Sequence, residues 1–596
     1  MKFIKKLKNF ASSSGGTFLI GAIIGVIFFG AFFSFAFVNP TYTDWIFSRV
    51  AHGTGQNFIG WEFLRSDATG AIANGLAYPI GLPITFMDGI PLIALPLLLV
   101  VDILPASFQY FGLWALICYI LHGGIAAILV RKVWRKVFEN HTKKSAEESA
   151  QENNGVTTRF IWQTLFIIGG TLIFVISPIM IARSLYHPAL AAQWLILLGI
   201  WLIWEAAKFA KPWKFVVTWS MLLVGASLIH PYFVPMLGTM MLVALLRNAT
   251  TFSLKNTIKI LIQIMIPIIL VGVVFWSIGG FALGSGAEVR DLQDKGFNLL
   301  SFAISNGYSV APSIPQRSYS PETIMWLGLG LWTMAIFVLV GMFGRYKIAF
   351  KNLRRNVAKN KTRNTLIFLV CFGLFVFAVS PRVDLSGITL FHYPVPERIY
   401  EIWSAFRAAA RMVWPFYYAI YLVIIYGFAK TFSRINRRKA LPIMVIVFCI
   451  LSMIQFSDIW FSETATSRRA GFEEVRNLLG REAPELDLSD IVTTQQHVIV
   501  LDSFFRGDRM GFYELAPAVL RHNLTINIGF FARVPEEVFK IQRTWYEKVV
   551  RGEVSDEDFH SNIFVTSNDH LIRRISRFDY NIEKRGKFYF IIKGEK

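Results

Sequence analysis

Four acidic residues follow the first long apolar run of the sequence. Asp44, Glu62, Asp67 and Asp88 all lie within residues 39–107. A carboxylate within hydrogen-bond reach of a hydroxyl group can act as a general base and take its proton. We predict this role for Asp44, the first acid after the run. The competing interpretation is an ordinary loop or helix-capping acid.

Two arginines precede a group of aromatic residues much later in the chain. Arg407 and Arg411 are four residues apart, so in a helix they would share one face. Two neighbouring guanidinium groups are suited to binding phosphate oxygens through paired hydrogen bonds. We therefore predict a phosphate site here. The alternative is that both arginines anchor the chain at the level of the lipid headgroups.

Further polar residues lie at the predicted ends of apolar runs. Arg183 and His187 follow one run, and His230 with Tyr232 lies between two others. Polar groups at membrane depth usually face a cavity or a partner. We predict that His187, His230, Tyr232 and Asp88 line a substrate pocket. For His230, anchoring at the membrane interface is an equally good interpretation.

Cofactor binding has little support in the sequence. Four histidines are predicted on the same side of the membrane, but they share no metal-ligand spacing: His52, His187, His230 and His392. We predict no metal ligands, and a divalent metal stays an open alternative. The three cysteines all fall inside apolar runs, which argues against a disulfide-bonded outer domain.

Composition places the protein in a membrane. The chain has 596 residues, of which 54% are hydrophobic, and its mean hydropathy is +0.48. Its apolar runs approach the 20 or so residues that cross a bilayer as a helix. The net charge of +21 lies mainly in short segments between these runs, which is typical of cytoplasmic loops. No nucleic-acid motif accompanies the charge, so we exclude nucleic acid as a partner.

The predicted fold is a polytopic α-helical membrane protein with about 11 transmembrane helices. The N-terminus is predicted in the cytoplasm and residues 39–107 outside. The segment 89–104 is left out because it is short and contains two prolines, and we predict that it lies on the outer face as an interfacial or re-entrant helix. The predicted spans are 17–38, 108–130, 160–181, 193–210, 215–230, 232–247, 260–280, 323–343, 365–380, 412–430 and 440–457.

The chain changes character after residue 460. Apolar residues there form short runs, which predict strands at 497–501, 524–528, 562–566 and 587–592. Helices are predicted at 471–479 and 535–550. The sequence thus predicts a transmembrane domain over residues 1–460 and a small extracytoplasmic α/β domain over residues 461–596.

Motifs spread over nearly the whole chain resemble the GT-C superfamily of integral-membrane glycosyltransferases. Within it, they resemble an uncharacterised bacterial membrane-protein family with a domain of unknown function. The motifs are Gly60–Arg65, Asp88–Leu92, Phe108–Trp114, Arg183 with His187–Leu190, His230–Tyr232, Phe406–Arg411 with Trp414–Tyr417, and Asn527–Arg533.

The resemblance implies a catalytic acid soon after the first span, and Asp44 has the matching position. It also implies a sugar donor carried on polyprenyl phosphate, whose phosphate would be bound by Arg407, Arg411 and Arg183. Many GT-C members have paired acids after the first span, but here Trp45 follows Asp44. The base could therefore instead be Glu62 or Asp67.

The predicted function is that of an inverting glycosyltransferase in a bacterial plasma membrane. It would move a sugar from a polyprenyl-phosphate donor to a cell-envelope glycan on the outer face. One alternative is a transporter or flippase of a lipid-linked glycan, which predicts polar residues across the membrane midplane. Another is a non-catalytic membrane scaffold whose C-terminal part binds a partner.

Overall fold

The computed structural model describes most of the chain. The described residues are 13–139, 153–248, 254–282, 295–315, 320–343, 360–433, 437–477, 486–502, 509–529 and 536–594, together with residues 351, 354, 355 and 358. Arg533, the last residue of the Asn527–Arg533 motif, lies outside them.

Helices make up most of the part before residue 461. They are α1 Ser14–Phe32, α2 His52–Ser66, α3 Pro91–Leu98, α4 Phe111–Trp134, α5 Asn153–Val175, α6 Pro178–Arg183, α7 Trp194–Trp204, α8 Pro212–Ile229, α9 Phe233–Asn248, α10 Leu254–Ser277, α11 Leu329–Phe343, α12 Lys361–Val379, α13 Glu397–Ser404, α14 Trp414–Phe432 and α15 Arg437–Trp460.

Seven helices of the described part are long and apolar enough to cross a membrane. They run from Ser14, Phe111, Pro212, Asn256, Lys361, Ala409 and Ala440. Four shorter apolar helices lie at Arg159–Val175, Pro188–Trp204, Phe233–Asn248 and Leu329–Phe343. Each predicted span overlaps one of these eleven helices. The chain is therefore a polytopic helical membrane protein, and the count of eleven spans stays a prediction.

Helix α4 defines the two ends of the helical bundle. At its beginning, the Trp114 indole Nε1 donates a hydrogen bond to the Pro188 carbonyl oxygen at 2.8 Å. At its end, Lys132 forms an ion pair with Glu205, which also pairs with Lys208 at 2.9 Å. The segments around Pro188 and Glu205 therefore lie at opposite ends of the bundle.

The segment 39–107 folds over the Pro188 end. It contains α2, α3 and a three-stranded antiparallel sheet of β1 Ala68–Thr69, β2 Ile72–Ala73 and β3 Leu82–Pro83. The 8-residue helix α3 is only about 12 Å long, far less than a bilayer core. Leu99 and Ile103, which follow it, are largely exposed. The segment 89–104 is not among the helices of the described part that are long enough to cross a membrane, and its placement on the outer face stays a prediction.

A five-stranded sheet forms near the C-terminus. Its strands are β6 His497–Val500, β7 Thr525–Ile526, β8 Asn562–Thr566, β9 Tyr580–Arg585 and β10 Phe588–Lys593, in the order β7-β6-β8-β10-β9. Strands β7, β6 and β8 are parallel, whereas β8, β10 and β9 are antiparallel. A separate hairpin joins β4 Arg382–Leu385 and β5 Ile388–His392. Strands lie at all four predicted positions, and β9 was not predicted because polar residues interrupt its apolar pattern.

Helices flank this sheet. They are α17 Arg509–Arg521, α18 Glu536–Arg551, α19 Asp556–Ser561 and α20 Asp569–Ile575, whereas α16 Glu463–Asn477 packs against the segment 39–107. The helix predicted at 471–479 begins earlier, at Glu463, and residues 478 and 479 lie outside the described part. The helix predicted at 535–550 corresponds to α18.

The segment 39–107 is joined directly to the C-terminal sheet. Leu76 forms a parallel β-bridge with Ile526 of β7. The Ile526 N–H donates to the Gly75 carbonyl oxygen at 2.8 Å, and the Tyr78 N–H donates to the Ile526 carbonyl oxygen at 3.0 Å. The Tyr78 ring also stacks on His497, with ring centroids 3.9 Å apart. Both units therefore lie on the same side of the helical bundle.

Candidate functional site

Several charged side chains from distant segments converge at the Pro188 end of the bundle. We call this group the charged cluster. It consists of Asp88, Arg183, His187, His230, Glu322 and Arg411. Five of the six were sequence-predicted site residues, and Glu322 was not among them.

Glu322 lies at the centre of an ion-pair network. The Arg411 guanidinium donates two hydrogen bonds to its carboxylate, from Nε at 2.6 Å and from Nη2 at 2.7 Å. The Arg183 Nη2 donates a third at 2.8 Å and also bonds the Pro321 carbonyl oxygen at 2.9 Å. Burial alone would raise the pKa of Glu322, but the two arginines hold that pKa well below its usual range. The network is therefore ionised at neutral pH.

Asp88 and His230 form a second pair beside this network. The His230 Nε2 lies 3.4 Å from the Asp88 Oδ1, and the Asp88 side chain is 22% exposed. Burial favours a raised pKa for Asp88, but its hydrogen bond with His230 and the nearby His187 and Arg411 lower that pKa overall. Asp88 is thus an ionised carboxylate that keeps part of its side chain exposed.

His187 lies next to both pairs. Burial, together with the charges of Arg183 and Arg411, lowers its pKa to about 3, against the opposing effect of Asp88 and Glu322. The ring is therefore neutral at physiological pH. A neutral imidazole can donate one hydrogen bond and accept another.

Helix α2 packs against the turn that carries His187. A Cβ atom at Gly53 would lie 1.9 Å from the Tyr186 carbonyl oxygen and 3.0 Å from the His187 Nδ1, so only glycine fits there. The next residue, Thr54, donates from its hydroxyl to the Leu185 carbonyl oxygen at 3.0 Å. The segment 39–107, which we call the first loop, therefore fixes the turn from Leu185 to His187.

Tyr232 links the cluster to the segment that precedes Arg411. Its hydroxyl oxygen accepts a hydrogen bond from the Ala408 N–H at 2.9 Å. The Arg411 guanidinium lies over the Tyr232 ring, 4.7 Å from the ring centroid. Tyr232 thus supports Arg411 through its ring and holds the backbone of Ala408 through its hydroxyl group.

Arg407 and Arg411 do not share one helix face, so that part of the prediction is wrong. Helix α13 ends at Ser404, and a 3₁₀ helix begins only at Ala409. The Ala408 N–H bonds Tyr232 and the Ala410 N–H bonds the Lys295 carbonyl oxygen at 3.1 Å. These tertiary hydrogen bonds replace the helical bonds to the fourth preceding residue. Arg407 is half-buried in the intervening turn.

Two of the predicted catalytic acids are exposed. Asp44 begins a 3₁₀ helix, Asp44–Phe47, and its charge contributes, after burial, to a raised pKa of Tyr42. Asp67 is the residue that follows α2, and its carbonyl oxygen accepts a hydrogen bond from the Asn74 N–H. These contacts lie within the first loop, away from the charged cluster.

The third predicted acid, Glu62, lies on another face of α2. Its carboxylate accepts a hydrogen bond from the Arg65 Nη1 at 3.3 Å, and Arg65 also bonds the carbonyl oxygens of Pro105 and Ala106. Burial raises the pKa of Glu62 to about 7. Gly60 faces Met87, the neighbour of Asp88. Glu62 lies about 200° around the helix from Gly60, so it is on the side of α2 away from Asp88. Glu62 therefore ties α2 to the end of the first loop.

Sequence reasoning missed two buried acids. Glu322 follows Pro321 in a short 3₁₀ helix. It directly precedes the predicted span 323–343, on the same predicted outer side as Arg183 and Arg411, and this position could have indicated an ion pair with them. Asp458, near the end of α15, accepts hydrogen bonds from the Ser309 hydroxyl at 2.5 Å and from the Trp326 Nε1 at 3.0 Å. It also accepts one from the Leu329 N–H at 3.0 Å, so it stabilises the start of α11.

Metal binding has no evident site in the part of the chain that the structure describes. No group of three or more His, Cys, Asp or Glu side chains there could hold a metal ion. Of the four histidines considered from the sequence, His187 and His230 join the charged cluster. His52 instead packs its ring against Tyr513 of α17, with ring centroids 5.3 Å apart.

Comparison with known proteins identifies the family but no activity. No functionally curated protein matches the chain. Residues 22–460, which include all of the charged cluster, match DUF6311, a domain of unknown function. The match covers well over half of the chain, so the protein belongs to the DUF6311 family.

Proposed function

We propose that the protein is an inverting glycosyltransferase of the GT-C type. It would transfer a sugar from a polyprenyl-phosphate donor to a cell-envelope glycan at the outer face of a bacterial plasma membrane. The observation that carries this proposal is the charged cluster itself. It combines a partly exposed, ionised carboxylate, Asp88, with two buried arginines at the end of a bundle of apolar helices.

Asp88 is the general base that this geometry supports best, in place of Asp44. Its carboxylate would accept the proton of the acceptor hydroxyl as that oxygen bonds to the anomeric carbon of the sugar. The bond from the anomeric carbon to the phosphate oxygen would break, and the phosphate would leave with the bonding electrons. Asp88 suits this role because it is ionised, partly exposed and adjacent to Arg411.

The arginines would stabilise the negative charge on the leaving phosphate. A guanidinium group has five N–H donors, and Glu322 uses only two of those on Arg411. The other donors could bind phosphate oxygens while Glu322 keeps the group in place. Arg407 is half-buried in the adjoining turn and would supply a further positive charge.

The proposed topology has eleven spans with the N-terminus in the cytoplasm. Three observations support it. The pairs of Lys132 and Lys208 with Glu205 lie at one end of the bundle, as expected for a cytoplasmic face. The first loop covers the other end and carries Asp88. The C-terminal sheet joins that loop through Leu76 and Ile526, so it would be extracytoplasmic as well.

Substitution of the two candidate bases tests the proposal. We expect Asp88→Asn to abolish the addition of the sugar to the envelope glycan, which we call the glycan modification, because asparagine cannot accept the proton. The amount of protein in the membrane should stay normal. Asp44→Asn is the matched control in the same loop, and we expect it to keep the modification. The measurement is the composition of the envelope glycan in strains that carry each variant and in a deletion strain.

Three outcomes have separate meanings. Normal glycan in the Asp88→Asn strain, with the modification absent from the deletion strain, would refute Asp88 as the base. Loss of the modification only in the Asp44→Asn strain would return the role to Asp44. An unchanged glycan in the deletion strain would refute the glycosyltransferase itself.

A further inference from the structure

The backbone around His230 determines which ring nitrogen carries a proton. The Tyr232 N–H donates a hydrogen bond to the His230 Nδ1 at 3.2 Å. A nitrogen that accepts from an N–H group cannot itself be protonated. A neutral imidazole has a single proton on the other nitrogen, which here is Nε2. That nitrogen lies 3.4 Å from the Asp88 Oδ1.

The same contact disfavours the other tautomer of the neutral ring. A proton on Nδ1 would point at the Tyr232 N–H, and the two donors would repel each other. The His230 side chain is only 8% exposed, so water cannot readily compensate. The rings of Tyr232 and Phe233 cover it, with centroids 5.2 and 6.5 Å away. In the neutral ring, the proton of His230 is therefore on Nε2.

Asp88 has a left-handed backbone conformation. Its φ is +52°, in a region that Asp and Asn adopt more readily than most other residues with a side chain. The groups that face its carboxylate are His230, His187 and Arg411. Among the described residues, the direct contact is made by His230, whose Nε2 lies 3.4 Å from the Asp88 Oδ1.

We propose that His230 is a positioning residue for Asp88: its Nε2–H donates to one carboxylate oxygen and leaves the other directed to the acceptor hydroxyl. This inference rests on the proposed function of Asp88 as the base. It assigns His230 no proton transfer with the substrate. His230 acts instead by fixing the orientation of the carboxylate and favouring its ionised form.

The tautomer can be measured without any substrate. The full-length protein, labelled with ¹⁵N-histidine and placed in lipid nanodiscs, would be studied by solid-state NMR at pH 8. We expect a histidine signal with protonated Nε2 and unprotonated Nδ1 that is lost in His230→Gln. A neutral His230 ring with its proton on Nδ1 would overturn the proposal.

The effect on Asp88 is measured by titration of its ¹³C-labelled carboxyl group, assigned by its loss in Asp88→Asn. We expect His230→Ala to raise the proton affinity of Asp88 about tenfold. His230→Gln should restore most of the difference, because its amide group can donate to the carboxylate. Equal titration curves for wild type, His230→Ala and His230→Gln would overturn the proposal.

Failure of the proposed function would look different. Membrane vesicles that contain the wild-type protein would be supplied with a radiolabelled polyprenyl-phosphate hexose. The predicted tautomer and the predicted Asp88 titration, combined with an unchanged glycan in the deletion strain, would refute the transferase but keep the His230–Asp88 pair. Transfer by wild type with a pH profile unaltered in His230→Ala would refute the positioning role alone.

Discussion

Glu322→Gln gives the sharpest test of the charged cluster. The substitution keeps the size of the side chain but removes the negative charge between Arg183 and Arg411. The side chains of Glu322 and Arg411 are each 11% exposed and that of Arg183 is 5% exposed. Removing one member of a buried ion pair costs about 3–5 kcal/mol because the partner charge stays buried without compensation. We expect a loss of stability of that size.

The assay is thermal unfolding of the purified full-length protein in detergent, followed by tryptophan fluorescence at neutral pH. Glu473→Gln is the matched control, since Glu473 forms an exposed pair with Arg476 at 3.3 Å. An exposed pair of this kind contributes about 0–1 kcal/mol, so the control should unfold like wild type. We expect a melting temperature several degrees lower for Glu322→Gln.

The sign of the pH dependence follows from the lowered pKa of Glu322. Its ionised form stabilises the fold above the ordinary glutamate pKa of about 4.3, and this contribution is lost as the pH falls further. The difference between wild type and Glu322→Gln should therefore shrink only in acid. Equal melting temperatures at neutral pH would refute the conclusion that this carboxylate is a buried, ionised counterion.

Three further predictions concern α2 and its contacts. Burial raises the pKa of Glu62 to about 7 and disfavours its ionised form in the fold, so wild type should lose up to about 3 kcal/mol of stability as the pH rises from 4.5 to 7. Glu62→Gln should remove this loss. Melting temperatures of both proteins across this range measure the effect, and parallel curves would contradict the prediction. Gly53→Ala should lower the melting temperature at every pH, since its Cβ would overlap the Tyr186 carbonyl oxygen at 1.9 Å, and an unchanged value would show that the turn can move. Tyr513→Phe removes a hydrogen bond to the His52 carbonyl oxygen and should cost about 1 kcal/mol, seen as faster limited proteolysis of the C-terminal part than in wild type.

The helices of the bundle could be predicted from local sequence. An apolar run long enough to cross a bilayer must satisfy its backbone hydrogen bonds internally, so it forms a helix whatever its neighbours are. The segment 89–104 was left out of the predicted spans because it is short and contains Pro91 and Pro96, and it is not among the helices of the described part that are long enough to cross a membrane. The alternating pattern near the C-terminus likewise predicted β6, β8 and β10.

The candidate site was predicted in part. Asp88, His187 and His230 were recognised as polar residues at the ends of apolar runs, and the structure brings them together. The helix expected around Arg407 failed because tertiary hydrogen bonds from Ala408 and Ala410 outweigh its local helix propensity.

The sequence by itself determined that this is a polytopic helical membrane protein, because the length and polarity of each run decide its local structure. Only the tertiary structure decided which polar residues meet. Glu322 lies 139 residues after Arg183 and 89 before Arg411, and no local pattern connects them. Their pairing depends on how the helices pack, which places buried charges where opposite charges can compensate them.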